Sequence, residues 1–288
     1  MNALALTNLR ACGAQEPASW IEAAGTKLAL MRRGTGFPVL CTHAIGHGAR
    51  DFEEFAKLAG SDFEIIALDW PGQGLSPADG HPPSAARYAE ILIAALDALK
   101  LDRAILVGNS IGGAASIIAA AKNPERVAAL VICDSGGLVK ISPFAKFFVG
   151  RMAAFFRAGQ NGKKWFARAY RFYYRRMVLP RKAATAQRER IVAAGYEMAP
   201  LLRQAWESFG QPEADIRHLV PTIKCPVWIA WARSDRVIPW AMCRAAARKF
   251  PNRKIQFFPG GHSAFLENPE RFAKGFRTFA KKALNAKR

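Results

Sequence analysis

Short apolar runs of β-forming residues alternate with longer stretches of helical periodicity along most of the chain. Seven runs bounded by turn residues predict strands: Leu28–Arg32, Val39–Thr42, Glu64–Leu68, Ala104–Val107, Ala129–Cys133, Val227–Ala230 and Lys254–Phe258. Four stretches with apolar residues at helical spacing predict helices: Ala85–Leu99, Ile111–Ala121, Pro239–Lys249 and Pro269–Leu284. This alternation is typical of an α/β protein, in which helices cover both faces of a mostly parallel sheet.

Residues 143–210 interrupt the alternation with helical periodicity alone. On a helical projection that starts at Trp165, one face collects apolar side chains: Phe166, Ala169, Phe172, Tyr173 and Met177. A stripe of basic side chains lies on another face: Lys164, Arg168, Arg171 and Arg175. A helical block inserted late in such a sheet predicts a cap over the carboxyl ends of the strands, where these folds bind ligands. The predicted domains are a core of residues 1–137 and 214–288 and a cap of residues 138–213.

Two arginines break the apolar pattern of the cap helices. Arg176 falls within the aromatic face of the helix at Trp165, and Arg151 falls one heptad after Phe144 on the apolar face of its own helix. A buried arginine needs an anionic partner. We therefore expect either that both side chains extend to solvent or pair with a glutamate, or that one of them binds a carboxylate or phosphate of a substrate.

The chain is strongly basic, and much of the charge lies in the predicted cap. The formal net charge is +20, and residues 138–213 contain 15 lysines and arginines against four glutamates. The basic stripe is either a solvated helix face or a surface for weak contact with an anionic membrane or a bulky acidic substrate. No recognition module for nucleic acid is present, so the charge predicts no specific nucleic-acid partner.

Composition and cysteine use exclude several classes of protein. With 51% hydrophobic and 22% charged residues, the 288-residue chain has enough apolar surface for a folded core. Its best candidate for a spanning helix, residues 138–156, is interrupted by three charged side chains. The N-terminus lacks a secretory pattern, which favours a cytoplasmic location. Five scattered cysteines without a CxxC pair predict neither disulfides nor a zinc site, and no metal or other cofactor is implied.

One motif predicts a nucleophile. The run Gly108-Asn109-Ser110-Ile111-Gly112 fits the pattern G-x-S-x-G and lies between a predicted strand and a predicted helix. Its glycines permit a sharp turn, which would hold Ser110 in a strained and exposed position above the sheet. A serine hydroxyl is a poor nucleophile at neutral pH unless an imidazole, oriented by a carboxylate, takes its proton.

Candidate partners for Ser110 follow downstream in the order that the motif requires. Asp235 and His262 each follow a predicted strand, so both are expected at the same edge of the sheet as Ser110. Four other histidines precede the last predicted strand and are weaker candidates for the base: His43, His47, His81 and His218. Asp134, at the end of an earlier strand, is the alternative carboxylate.

The order of Ser110, Asp235 and His262 on alternating strands and helices resembles the α/β-hydrolase fold superfamily. Two loops share the resemblance: His43-Ala44-Ile45-Gly46-His47-Gly48 and Asp69-Trp70-Pro71-Gly72-Gln73-Gly74-Leu75-Ser76. The resemblance covers residues 20–137 and 218–284. It implies a mostly parallel sheet of eight strands, flanked by helices and carrying an inserted helical cap.

The resemblance also implies where an oxyanion would be stabilised. By position, the donors are the backbone amides of Ile45 and Ile111. The family usually has glycine where this chain has Ala44, so the amide of Ala44 is an alternative to that of Ile45. Ala44 and Asn109 flank these positions and are expected to contact substrate. His43 matches a residue that is structural in the family.

These features predict a serine hydrolase that uses an acyl-enzyme to cleave ester-like bonds of a small to medium, partly apolar substrate that is either neutral or anionic. The elbow at Ser110 also resembles that of hydrolases that cleave carbon–carbon bonds in ring-fission products of aromatic compounds, whose acidic substrates would suit a positive cap. Those hydrolases usually have a tryptophan soon after the histidine, where this chain has Ser263-Ala264-Phe265. A ligand receptor or scaffold on the same fold is a third alternative.

Overall fold

The computed structural model describes residues 19–285, and its strands form one sheet. The strands are β1 (Ser19–Ala23), β2 (Thr26–Arg33), β3 (Phe37–Thr42), β4 (Phe63–Leu68), β5 (Ala104–Asn109), β6 (Val127–Cys133), β7 (Val227–Ala232) and β8 (Arg253–Phe258). Their order is β1-β2-β4-β3-β5-β6-β7-β8, in which β2 is antiparallel to β1 and β4 and the other neighbours are parallel. The predicted eight-stranded, mostly parallel sheet is confirmed. β1 is the strand that the apolar pattern did not locate.

The central strands are covered on both faces. Every residue of β5, β6 and β7 is buried. Because side chains alternate along a strand, Leu40 and Leu106 belong to one apolar layer and Val39 and Val107 to the layer on the opposite face. A parallel sheet between two helical layers requires such continuous apolar strands, so its strands are visible in the sequence.

The described α-helices are α1 (Glu53–Ala59), α2 (Ala85–Ala98), α3 (Ile111–Lys122), α4 (Pro143–Gln160), α5 (Trp165–Tyr173), α6 (Thr185–Ala193), α7 (Gly195–Phe209), α8 (Trp240–Ala247), α9 (Ala264–Glu267) and α10 (Pro269–Asn285). Short 3₁₀ segments lie at Ala49–Phe52, Lys182–Ala184, Pro212–Ala214 and Val220–Thr222, and a π-helical segment at Tyr174–Val178 continues α5. The four predicted helices agree with α2, α3, α8 and α10 to within one or two residues at each end. Local signals set some of these ends, since Ser84 caps α2 and its hydroxyl accepts a hydrogen bond from the Arg87 amide at 3.2 Å.

The helices α4 to α7 form an insertion between β6 and β7, as the helical block of the sequence predicts. Within it, α4 packs against α7, where the rings of Phe148 and Trp206 meet edge to face. The chain boundaries of the cap, residues 138 and 213, stay a prediction.

The face of α5 that packs inward differs from the predicted one. Trp165 and Phe172 are 53% and 62% exposed, whereas Phe166 and Tyr170 are buried. Phe166 and Tyr170 lie one turn apart, stack at 5.3 Å between ring centroids, and both contact Phe156 of α4. Aromatic residues surround this helix on most sides, so its periodicity alone did not identify the buried face.

Arg151 and Arg176 are both exposed, which agrees with the alternative in which their side chains extend to solvent. The apolar faces to which the helical projections assigned them are not the faces that pack inward. Arg151 was assigned to the face of its helix that carries Phe144, and Phe144 is itself 69% exposed. For Arg176, the π-helical segment Tyr174–Val178 has a wider turn than an α-helix, so a projection of 100° per residue fails beyond Tyr173.

The described helices and cysteines bear on two expectations from composition, the absence of a spanning helix and the absence of disulfides. No helix within residues 19–285 has the length and hydropathy needed to cross a bilayer. Four of the cysteines, Cys41, Cys133, Cys225 and Cys243, are buried and free of disulfides. Cys12 and the N-terminal segment lie outside the described residues.

Candidate active site

Ser110 occupies the sharp turn between β5 and α3. Its backbone angles, φ 55° and ψ −117°, are strained for a residue with a side chain, and hydrogen bonds hold them in place. The Ser110 amide donates to the Cys133 carbonyl at 3.0 Å, and its carbonyl accepts from the Gly136 amide at 2.9 Å. The flanking glycines are required because a Cβ on Gly108 would stand 2.4 Å from the carbonyl oxygen of Gly112. The turn therefore has the geometry that the G-x-S-x-G motif predicts.

His262 and Asp235 form a buried pair at the same edge of the sheet. Nδ1 of His262 donates to Oδ2 of Asp235 at 2.8 Å, and both side chains are almost fully buried. The other carboxylate oxygen accepts from the amides of Val237 and Ile238 at 2.8 and 3.0 Å, so the carboxylate is fixed toward the ring. Burial lowers the pKa of His262, but the charge of Asp235 and the hydrogen bond to it outweigh burial and raise that pKa above its usual value.

Asp134, the alternative carboxylate, is used elsewhere. It is fully buried, and its two oxygens accept from the amides of Ala232 and Ala264, at 2.7 and 3.3 Å. Those amides belong to the chain segments that lead to Asp235 and that follow His262. Burial, and then the charge of Asp235, raises the pKa of Asp134 well above its usual value. The geometry therefore gives Asp134 the position of a brace between the two loops and gives Asp235 the contact with the imidazole.

Asn109, expected to contact substrate, instead joins the serine turn to the histidine loop. Its side-chain amide donates to the carbonyls of Cys133 and His262 at 2.9 and 3.0 Å, and its oxygen accepts from the Ser263 hydroxyl at 2.8 Å. The residue is fully buried, so no polar atom of its side chain is left for a ligand. The substrate-contact expectation for Asn109 is therefore corrected.

Asn109, the residue before Ser110, links the serine turn to the backbone of His262 through a hydrogen bond of 3.0 Å. Among the described residues, the Ser110 hydroxyl makes no hydrogen bond to His262. The contact between nucleophile and base is commonly long in structures without substrate and tightens in the complex.

The oxyanion loop offers amides for a developing negative charge. The Gly46 amide donates to the side-chain oxygen of Gln73 at 2.7 Å and is thereby occupied. Within residues 19–285, the amides of Ala44 and Ile45 donate to no other group, so both alternatives stay open. Ile111 is the first residue of α3, where a backbone amide has no partner inside the helix.

His43 is excluded as a base by its partners. Its Nδ1 donates to the Ala44 carbonyl at 2.7 Å, and its Nε2 accepts from the Trp70 amide at 3.0 Å. Both ring nitrogens are therefore occupied, and burial lowers the pKa of His43 to about 4. The structural role that the resemblance implies for this residue agrees with these contacts.

A second buried polar cluster joins the cap to the oxyanion loop, and sequence reasoning missed it. Nδ1 of His47 donates to Asp51 at 2.6 Å, and Nε2 of His47 lies 3.3 Å from the hydroxyl of Tyr174 in the cap. Gln187, also in the cap, donates to the second oxygen of Asp51. No local signal could find this cluster, because His47 and Tyr174 are 127 positions apart.

Glu267 is a further buried carboxylate that sequence reasoning missed. It lies on α9, just after His262, and its oxygens accept from the amide of Gly261 at 2.5 Å and from that of Arg181 in the cap at 3.0 Å. Burial raises the pKa of Glu267 to about 7. The carboxylate thus tethers the cap to the glycine turn that carries His262.

The described residues hold no cluster of histidine, cysteine and carboxylate side chains suited to a metal ion. The arrangement provides a strained serine at a helix N-terminus, an imidazole held by a carboxylate, and free backbone amides. Such an arrangement can support acyl transfer.

Comparisons with known proteins define the class. Residues 38–269 match the model of the alpha/beta hydrolase fold family, so the chain belongs to this family. The protein is a hydrolase of this fold. Among curated relatives, the 2-hydroxymuconate semialdehyde hydrolase of Pseudomonas putida is 30% identical over 280 residues, covering 91% of this chain and 94% of that protein.

Two further proteins, one curated relative and one solved structure, are similar to this chain. The 2-hydroxy-6-oxononadienedioate/2-hydroxy-6-oxononatrienedioate hydrolase of Burkholderia vietnamiensis is 27% identical over 261 residues, covering 86% of this chain and 89% of that protein. Among solved structures, a thermophilic esterase from Thermogutta terrifontis superposes with a TM-score of 0.77 at 24% identity, covering 93% of this chain and 99% of that one. At this identity the esterase supports the fold alone.

Proposed function

We propose that the protein is a serine hydrolase that cleaves ester-like bonds through an acyl-enzyme. The observation that carries the proposal is the pair of His262 and Asp235, joined at 2.8 Å and tied through Asn109 to the strained turn of Ser110. A ligand receptor or scaffold would gain nothing from a buried imidazole–carboxylate pair beside a strained serine.

In the proposed mechanism, His262 removes the proton from the Ser110 hydroxyl as its oxygen attacks the substrate carbonyl. Asp235 holds the imidazole in the tautomer whose Nε2 is free to accept that proton, and it stabilises the imidazolium that forms. The amides of Ile111 and of Ile45 or Ala44 donate to the oxyanion. His262 then protonates the leaving group, and water, deprotonated by the same imidazole, releases the acid and restores the serine.

A second candidate is carbon–carbon bond hydrolysis of acidic ring-fission products. The observation that favours it is the similarity to the two curated hydrolases, which extends over most of each chain. The histidine loop speaks against it. The residue after His262 is Ser263, which is fully buried and bonded to Asn109, and Phe265 is buried and stacked on Phe52. Neither therefore replaces the tryptophan that such enzymes usually carry near the histidine.

The test is a substrate comparison with matched variants. Purified protein would be assayed against p-nitrophenyl esters of increasing acyl length and against 2-hydroxymuconate semialdehyde. We expect ester turnover that falls by at least about 10³-fold in Ser110→Ala, with little change in the control Ser208→Ala, whose hydroxyl lies in the cap. Turnover of the semialdehyde at a higher kcat/KM than any ester would select the second candidate. Ester turnover that Ser110→Ala leaves unchanged would refute the proposal.

A further inference from the structure

A basic cleft of about 730 Å³ lies between the cap and the core, beside the loop that carries Asp235. Five of its cationic side chains come from the cap and one from the core. They are Arg168, Arg171, Arg175, Arg176, Lys182 and Arg236. The buried Arg188 also lines it, but its guanidinium donates to the carbonyl of Leu179 at 2.7 Å and lies 3.7 Å from the carboxylate of Glu189. Three of the four residues of the basic stripe, Arg168, Arg171 and Arg175, thus form one wall of a concave site.

Six of the seven cations that line this cleft have no carboxylate partner within residues 19–285. No carboxylate lines it, and none of its six outer cations forms an ion pair within the described residues. Elsewhere on the cap the same residue type is paired, since Arg203 and Arg157 both contact Glu207. A solvated helix face would explain the cations of α5, but it would not bring Arg236 of the core to the same cleft. Several unpaired cations around one concave volume raise its positive potential and attract anions.

The cleft is separate from the proposed catalytic groups. None of Ser110, His262, Ile45 and Ile111 lines it. It borders the active-site loops through Arg236, the residue after Asp235, and through Pro180, which packs against the turn of Gly261. The cleft thus does not include the proposed catalytic groups, and the binding proposed here does not depend on the proposed hydrolytic function.

We propose that this cleft binds a small molecule that carries two or more phosphate groups and an apolar or planar part. Guanidinium groups pair with phosphate through two parallel hydrogen bonds, and several phosphates match the charge of six unpaired cations better than a single carboxylate does. The volume lies within the range of sites for small molecules. Phe172 lines the cleft and is 62% exposed, so it provides an apolar surface for the rest of the ligand. A concave site suits a small molecule better than it suits a flat membrane surface.

Titration calorimetry with inorganic triphosphate tests this proposal. The full chain carrying Ser110→Ala is used, so that hydrolysis plays no part in the result. We expect binding that weakens as salt rises, and that weakens by roughly tenfold or more in the triple variant Arg171→Gln/Arg175→Gln/Arg176→Gln. The matched control is Arg248→Gln/Lys274→Gln/Lys282→Gln, which removes the same charge from exposed positions of the core. It is expected to bind within about twofold of the parent.

Further measurements test the core side of the cleft and the chemical class of its ligand. Arg236→Gln removes one cation from the core side and is expected to weaken triphosphate binding by itself, while circular dichroism checks that each variant is folded. Succinate is expected to compete poorly with triphosphate. Absence of triphosphate binding, or equal weakening in the two triple variants, overturns the proposal. Binding to phosphatidylglycerol vesicles without binding to triphosphate also overturns it and assigns this face to a membrane.

Discussion

Replacing Asn109 with alanine tests whether this residue positions the catalytic groups or contacts the substrate. The side chain makes three hydrogen bonds in a fully buried place, to the carbonyls of Cys133 and His262 and from the hydroxyl of Ser263. Alanine would remove all three hydrogen bonds, although the Cys133 carbonyl would keep the Ser110 amide as a donor. At about 1 kcal/mol for each net hydrogen bond, the free energy of unfolding should fall by about 3 kcal/mol.

The same change should also slow the reaction. Because Asn109 joins the turn of Ser110 to the backbone of His262, its loss loosens the distance between nucleophile and base. We expect kcat to fall by about 10- to 100-fold while KM changes little, since misplacement of reacting groups acts on the transition state. A proper control is Asn123→Ala, which removes only a long 3.5 Å hydrogen bond to Ala119 at a partly buried position and should cost about 0.5 kcal/mol or less.

The assays are urea unfolding followed by tryptophan fluorescence and steady-state kinetics on the ester that turns over best. A substrate-contact role makes the opposite prediction. KM would rise while the urea midpoint and the free energy of unfolding stayed at the parent values, and that result would refute the positioning argument.

Three more predictions follow from buried geometry and from shifted pKa values. Gly112→Ala should lower the free energy of unfolding by about 2–3 kcal/mol, because the new Cβ would stand 2.6 Å from the carbonyl oxygen of Thr42. The control Gly150→Ala, with open space around the new Cβ, should be neutral or stabilising. Equal urea midpoints for the two variants would contradict this prediction. The kcat/KM of ester hydrolysis should rise with pH through a pKa above 6.5, because His262 must be neutral to act as a base. Asp235→Asn should lower both the rate and this pKa, since it removes the charge that raises it. A pH profile of the variant identical to that of the parent would argue against the pairing of His262 with Asp235. Because the pKa of His43 is lowered from 6.5 to about 4, the unfolded chain binds a proton at this residue at a higher pH than the folded chain does. The contribution of neutral His43 to the free energy of unfolding is therefore fully present above pH 6.5 and is lost as pH falls toward 4. Relative to His43→Asn, the parent should lose about 2 kcal/mol between pH 7 and pH 5, and parallel losses in the two proteins would refute this prediction.

Features that depend on short stretches of chain could be predicted from the sequence. The alternation of apolar strands with helices follows from burial on both faces of a parallel sheet, and it identified seven of the eight strands. The serine turn was predictable for the same reason. The turn needs glycine two positions before and two positions after Ser110, at Gly108 and Gly112, because a Cβ at either place would meet backbone.

Features that depend on contacts between distant segments appeared only in the folded chain. Sequence order left Asp134 and Asp235 as rival partners for His262, and only their hydrogen bonds separate them. The link between Tyr174 and His47 has no local signature at all.

The orientation of the cap depended on tertiary packing as well. The aromatic residues of α5 can be buried on more than one face, and packing against Phe156 selects the face of Phe166 and Tyr170. The same packing, together with the π-helical turn after Tyr173, exposes Arg176 and directs it to the cleft with Arg236. Periodicity describes which residues share a face of one helix, but the choice of the buried face is made by the surface against which the helix packs.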